Sequence, residues 1–145
     1  METMKKITRF RLATPDDEMS YSVFGLVSSE PDYRLSFSLN RKLKINLKRY
    51  DPVEITGPDG NKIQFSRFSD LSGLPGEFYT LADNRSGKNL FSQKYSRIDY
   101  LFLRGGAHGP DISDRILSSL RSLEGITAVF HIKENEINIG AFLPR

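Results

Sequence analysis

The 145 residues include no cysteine, which excludes disulfides, thiolate nucleophiles, zinc fingers and iron–sulfur clusters together. With 38% hydrophobic and 27% charged residues, the composition is that of a globular protein, neither disordered nor membrane-embedded, and the length suits one domain with its own core. A formal charge of +3 tolerates an acidic or nucleic-acid partner without requiring one.

No secretory h-region follows Lys5-Lys6, and no apolar stretch approaches the roughly 20 residues of a membrane span, so a cytoplasmic location without membrane contact is expected. The alternation of Lys5–Leu12 predicts a first strand, and the turn-prone Thr14-Pro15-Asp16-Asp17 separates it from a second over Tyr21–Val27. From Tyr33 to Leu47 two patterns compete. Apolar residues on odd positions have the period of a strand, whereas Leu35, Leu39 and Leu43 form a helical row. Ser28-Ser29-Glu30-Pro31-Asp32 has the makings of a helix start, with a hydroxyl cap, a proline in the first turn and acids at the positive dipole end.

Further strands are predicted over Asn61–Ser69, Glu77–Ala82 and Arg97–Leu103, with Gly and Pro punctuation at Ser72 to Gly76. The last of the three is apolar on both faces except at Asp99, as a central strand would be. Asp111 is placed to cap a helix whose apolar stripe is Ile112, Ile116, Leu117, Leu120 and Leu123, with Gly125 as its left-handed stop. Ile126–Ile132 and Glu136–Leu143 alternate around Lys133-Glu134-Asn135 and read as a closing hairpin.

The run from Phe24 to Asn40, FGLVSSEPDYRLSFSLN, resembles the N-terminal half of the IPExxxVDY family, small bacterial proteins largely from the Bacteroidetes. There a G-I-S-S strand end leads into a Y-R-L-A-W-x-L-N helix. Leu47-Lys48-Arg49, Phe65-Ser66-Arg67-Phe68 and Tyr79 to Arg85 continue the likeness, which spans nearly the whole chain. Of the signature itself, Val-Asp-Tyr corresponds to Ile98-Asp99-Tyr100, while Ile-Pro-Glu falls on Ser92-Gln93-Lys94 and is replaced throughout. No role of the family's glutamate transfers to Lys94. The resemblance implies that the contested segment is a helix from about Pro31 to Leu43, and it implies no activity.

The architecture expected is α+β: a mainly antiparallel sheet of about six to eight strands with two helices packed on it, in a single domain over 1–145. Candidate sites follow from residue type. Gly105, Gly106 and Gly109, between a strand and a helix, are a candidate anion loop, though the Lys-Ser/Thr of a P-loop is missing and a plain turn accounts for them. Arg41, Lys42, Lys44, Lys48 and Arg49 are a candidate nucleic-acid contact, with Arg41, Lys44 and Lys48 on one face if the helix runs on; a solvated surface explains the same charges. Phe65, Phe68 and Tyr79 are read as core and not as base-stacking residues.

Asp99, set in an apolar strand, needs a designated partner, and no His, Cys or second acid lies near it in sequence to make a catalytic pair. Tyr100 should face the opposite side, and Asn40 and Asn84 are read as side-chain-to-backbone brackets at element ends. His108 and His131 lack neighbours at ligand spacing, and Asp16-Asp17-Glu18 lacks the pattern of a calcium loop, so neither metal nor cofactor is expected. The reading leans away from an enzyme, toward a binding or assembly module with a protein partner. Tyr33 and Phe37 on the first helix, or an edge strand, would make a homodimer. RNA binding through the basic segment, or catalysis around Asp99, are the alternatives.

Overall fold

The computed structural model describes residues 19–107 and 111–143. The predicted strand Lys5–Leu12, the acidic cluster Asp16-Asp17-Glu18, His108 and Gly109 lie outside the described residues. Chain order is β1 (Ser20–Val27), α1 (Asp32–Leu43), β2 (Lys48–Thr56), β3 (Lys62–Asp70), β4 (Phe78–Asp83), the short hairpin β5 (Arg85–Ser86) and β6 (Asn89–Leu90), β7 (Tyr100–Gly106), α2 (Ile112–Arg121) and β8 (Ala128–Ile132). Two 3-10 turns, Glu134–Glu136 and Ile139–Phe142, follow. Six strands form one sheet in the order β2-β3-β4-β7-β1-β8, every neighbouring pair antiparallel. This is an α+β fold, as expected.

Helices α1 and α2 cover one face. Leu35 and Leu39 of α1 and Ile116 and Leu120 of α2 bury against Phe24 and Leu26 of β1, Leu81 of β4 and Phe102 of β7. The contested segment is therefore a helix, because its i, i+4 leucine row meets the sheet, while the odd-numbered Tyr33 and Phe37 point outward. No side chain caps α1: Pro31 occupies the N-cap position, and the Ser28 hydroxyl donates instead to the Gly125 carbonyl at 2.6 Å. Asp32 in the first turn and Arg41 and Lys42 in the last complement the helix dipole. The helix stops at Lys44, whose left-handed backbone (φ 59) returns its N–H to the Asn40 carbonyl.

The opposite face carries Val23, Phe65, Phe78, Leu101 and Leu103, and it is covered by the C-terminal segment and the stretch between β6 and β7. The closing hairpin is corrected here. Residues 136–143 do not pair with β8; they turn back as 3-10 helix so that Phe142 buries at 1% exposure. An added edge strand would have left this apolar face open to water.

Other boundaries shift for identifiable reasons. Strand β2 is not evident in the sequence, because its first half, Lys48 to Pro52, is exposed and without apolar alternation and only Val53 and Ile55 alternate after it; its register breaks between Tyr50 and Val53, around Pro52. The central strand begins at Tyr100 and runs on to Gly106, so Asp99 precedes it. Asp111 makes no side-chain cap bond, and α2 ends at Arg121, ahead of the turn in which Gly125 has φ 71.

Candidate functional site

Three of the four polar residues singled out in the sequence, Asp99, Tyr100 and Asn84, serve the connector from β1 to α1. Asp99 is locked in place by its backbone, its N–H donating to Leu26 O at 2.9 Å and its carbonyl accepting from Asn84 N–H at 2.9 Å. Its carboxylate then accepts the Ser28 N–H at 2.9 Å on Oδ2 and the Arg85 Nε–H at 3.3 Å on Oδ1. One residue on, the Tyr100 hydroxyl donates to the Glu30 carbonyl at 2.5 Å. Asp99 and Tyr100 thus hold both ends of the segment that launches α1.

Asn84, fully buried, secures the chain that delivers Asp99. Its amide donates to Tyr95 O at 3.0 Å and Ile98 O at 2.9 Å, and its Oδ1 accepts the Ser92 N–H at 2.8 Å. Asn40 does the same at the other end of α1, exchanging bonds with the N–H and carbonyl of Leu47 at 2.6 and 3.2 Å. All four positions are brackets whose side chains tie their own position to backbone elsewhere, with the Arg85 guanidinium the one side-chain partner among these bonds. Lys94 is ion-paired with Glu136 of the C-terminal segment. That bond, with one from the Tyr95 hydroxyl, holds the Glu136 carboxyl down at about 2.

Asp83 was not singled out in the sequence. It ends β4 directly beside Tyr100 in the ladder, and its Oδ1 is buried with no hydrogen-bond partner. Burial pushes its carboxyl up to about 7; Asp32 adds to the effect and Arg49 opposes it. The signal was available: alternation along Phe78–Asp83 puts Asp83 on the face of Tyr79 and Leu81, beneath the helices. Tyr100 is raised as well, chiefly by burial and then by Asp83 and Asp32. Between Ser29, Pro31, Asp83, Arg85 and Tyr100 lies a cleft of about 300 Å³. It joins a carboxyl that can hold a proton near neutral pH to a carboxylate whose two oxygens are already engaged, and among the described residues no His, Cys, Asp or Glu group could hold a metal.

The second concavity, about 680 Å³, runs between the outer face of α1 and the turn after α2. Arg34, Phe37, Arg41 and Lys42 form one wall and Leu123 and Ile126 the other. Tyr33 and Phe37 are 61% and 60% exposed, although they stand on a helix anchored through its opposite face, and the Arg41 guanidinium lies 5.8 Å from the Phe37 ring centre.

The basic segment is divided. Arg41 and Lys42 end α1, Lys44 is the left-handed cap, and Lys48 and Arg49 open β2. Arg41, Lys44 and Lys48 therefore do not share a helical face, because the helix ends before two of them. Arg49 lies on the Phe68 ring at 4.6 Å and 4.0 Å from Asp32. The candidate anion loop is also corrected. Gly105 and Gly106 are paired residues of β7, and a Cβ on Gly105 would come within 2.3 Å of the Phe78 ring, so this glycine serves packing. His131 stacks on Phe24 with ring centres 5.0 Å apart.

No protein-family model, curated protein or solved structure matches the chain. No helix among the described residues is long and apolar enough to cross a membrane.

Proposed function

We propose that this domain is a non-catalytic binding and assembly module, acting through protein contacts on the outer face of α1. The observation that carries the reading is the pair Tyr33 and Phe37, each about three-fifths exposed on a helix whose inner face is fully packed. Large aromatics with basic neighbours are the side chains that anchor protein interfaces, since they bring contact area at little conformational cost. The bracket residues make the complementary case: Asp99, Tyr100, Asn40 and Asn84 fix where α1 sits, so the face it presents is rigid.

A photo-crosslinking phenylalanine analogue placed at position 37 tests this in cells that produce the protein, with the same group at Asp59, in the exposed β2–β3 turn, as control. Protein adducts specific to position 37 are expected. No adducts, or the same set from both positions, overturn the reading.

Kinship with the IPExxxVDY family, a bacterial origin and a cytoplasmic location belong to the same proposal. What supports the kinship is that two of the stretches in the likeness, Phe24 to Asn40 and Ile98-Asp99-Tyr100, are bonded to each other, through Ser28 to Asp99 and Glu30 to Tyr100. Catalysis around Asp99 is a second reading, favoured by one observation, the proton-holding Asp83 in the adjoining cleft. The RNA reading keeps only Arg41 and Lys42 on the groove, and salt-sensitive RNA binding lost on their charge reversal would revive it.

A further inference from the structure

We infer that the sheet face opposite the helices is a peptide-binding groove, occupied in cis by residues 134–143 and able to take a protein segment of the same chemistry, a carboxylate six residues ahead of an aromatic ring. It is a second surface, across the sheet from α1 and independent of Tyr33 and Phe37.

Residues 134–143 are held as a bound peptide is held. Their backbone bonds are local: Glu136 N–H to Lys133 O, Ala141 N–H to Asn138 O and Leu143 N–H to Gly140 O. Among the described residues none of this stretch joins the ladder of the six-stranded sheet. Phe142 is fully buried, while Ile137, Ile139 and Leu143 are only half-buried. A segment tied to the body by a few side chains opens locally at a free energy far below that of global unfolding.

Three contacts fix it, and each is a recognition device. At one end the Glu136 carboxylate accepts the Lys94 ammonium on one oxygen and the Tyr95 hydroxyl, at 2.5 Å, on the other. At the other end the Phe142 ring meets Phe91 edge to face with centres 4.7 Å apart, and Phe65 closes the corner 5.7 Å from Phe91. Between them the buried Arg67 guanidinium donates to the Phe142 carbonyl at 3.2 Å and to the Asp51 carbonyl of β2 at 2.8 Å. A charge clamp, a ring pocket and a guanidinium on a main-chain carbonyl read the side chain, the anchor and the backbone of a peptide.

The receiving surface is built without its occupant. Phe91, Lys94 and Tyr95 lie in the stretch between β6 and β7, which Asn84 pins through Ser92, Tyr95 and Ile98 with no help from residues 134–143. Arg67 and Phe65 stand on the paired strand β3. The groove therefore keeps its shape when the segment leaves, and undocking uncovers Val53 of β2, which shares the buried cluster with Phe142.

Because the chain has no cysteine, single thiols read this opening in the full-length protein. Val53→Cys reports the groove, and Val129→Cys, also buried on an edge strand but under the helices, reports the rest of the fold. With circular dichroism unchanged, maleimide labelling should be at least about 100-fold faster at position 53 than at position 129. Glu136→Ala should speed it about tenfold further at position 53 and leave position 129 as it was. The probe for the partner is a synthetic peptide of residues 133–143, capped at both ends. A segment docked about 99% of the time at an effective concentration on the order of 10 mM has a Kd in trans of about 0.1 mM. The peptide at about 1 mM should then slow labelling at position 53 about tenfold, and the same peptide carrying Phe142→Ser should not. Equal labelling at the two positions, indifference to Glu136→Ala, or no protection by the peptide overturns the groove. Should Val53→Cys fail to fold, anisotropy of the fluorescein-labelled peptide decides. Binding at least about fivefold tighter to Glu136→Ala than to the wild type supports exchange with the segment, and equal binding or none overturns it.

Discussion

The two sides of α1 treat their side chains in opposite ways. At its start and beneath it, nearly every polar group has a fixed partner: Ser28 N–H on Asp99, Glu30 carbonyl on Tyr100, Asn40 on Leu47. On its outer face two large aromatic rings have none beyond a single guanidinium. The residues that draw attention in the sequence, the Asp-Tyr pair and the two asparagines, are on the satisfied side. A buried polar group is conspicuous in an apolar run, yet the same burial demands that it be bonded, which makes it a brace more readily than a reactive group. The side available to a partner is marked by the reverse, apolar groups left in water on a rigid element.

Breaking the braced side should have the largest effect. Asn84→Ala strands the Ser92 N–H and the Ile98 carbonyl in the interior, while the Tyr95 carbonyl keeps the Ile98 N–H; each unmet group costs about 1 kcal/mol or more, so a loss of about 2 kcal/mol is expected. Urea unfolding followed by circular dichroism measures it. A loss below about 1 kcal/mol would mean that water replaces the amide and that the 91–99 segment is not held from Asn84.

How far the comparison was legible in the sequence differs between the sides. The helical stripe of α2 and the alternation of β1, β3 and β4 report burial on one face, and their existence follows from periodicity alone. For α1 the period was ambiguous because Tyr33 and Phe37 are apolar yet face outward, so the feature that obscured the helix is the one that marks its working face. Strand β2 was hidden since an edge strand is stabilised by its neighbour's backbone and not by its own apolar pattern. Residues 133–143 misled because alternation records that every second residue is buried without recording against what; here Ile137, Ile139 and Leu143 pack over the sheet face and not beside its edge. For Asp83 the alternation of its strand shows the buried face but not the raised carboxyl, which depends also on Asp32 and Arg49 from two other elements.

Asp83 offers a way to sharpen the comparison, since among the described residues its Oδ1 is the buried side-chain atom left without a hydrogen-bond partner. Its folded pKa of about 7 stands above the ordinary 3.8, so the native state holds this proton more tightly than the unfolded chain does. Ionising Asp83 therefore works against folding: its contribution to stability declines as pH rises from about 4 to about 7 and stays unfavourable above. Asp83→Asn, which imitates the protonated acid, should match the wild type near pH 4 and exceed it at pH 8 by about 1–2 kcal/mol. That figure is well under the ~4 kcal/mol equivalent of three pH units, because solvent reaches part of the carboxyl and screens it. Thermal melts at several pH values read the difference, and a gap that is constant with pH would show that Asp83 is ionised throughout.

The smallest effect on the monomer belongs to the open side, and its smallness is the point. Phe37→Ser removes a ring that is 60% in water and touches no core residue across the sheet, so unfolding of the dilute protein should shift by no more than about 0.5 kcal/mol. The same substitution at Leu39, wholly buried on the opposite face, would cost several times as much, since it leaves both a void and an unpaired hydroxyl. Concentration separates the role of Phe37 from mere tolerance. If α1 meets its own copy, mass action raises the melting temperature of the wild type as protein increases from about 10 µM to about 1 mM, and Phe37→Ser abolishes that rise while leaving the dilute melt in place. A variant that keeps the concentration dependence would locate self-association elsewhere on the molecule, with the β8 edge and its half-exposed Phe130 the next face to probe.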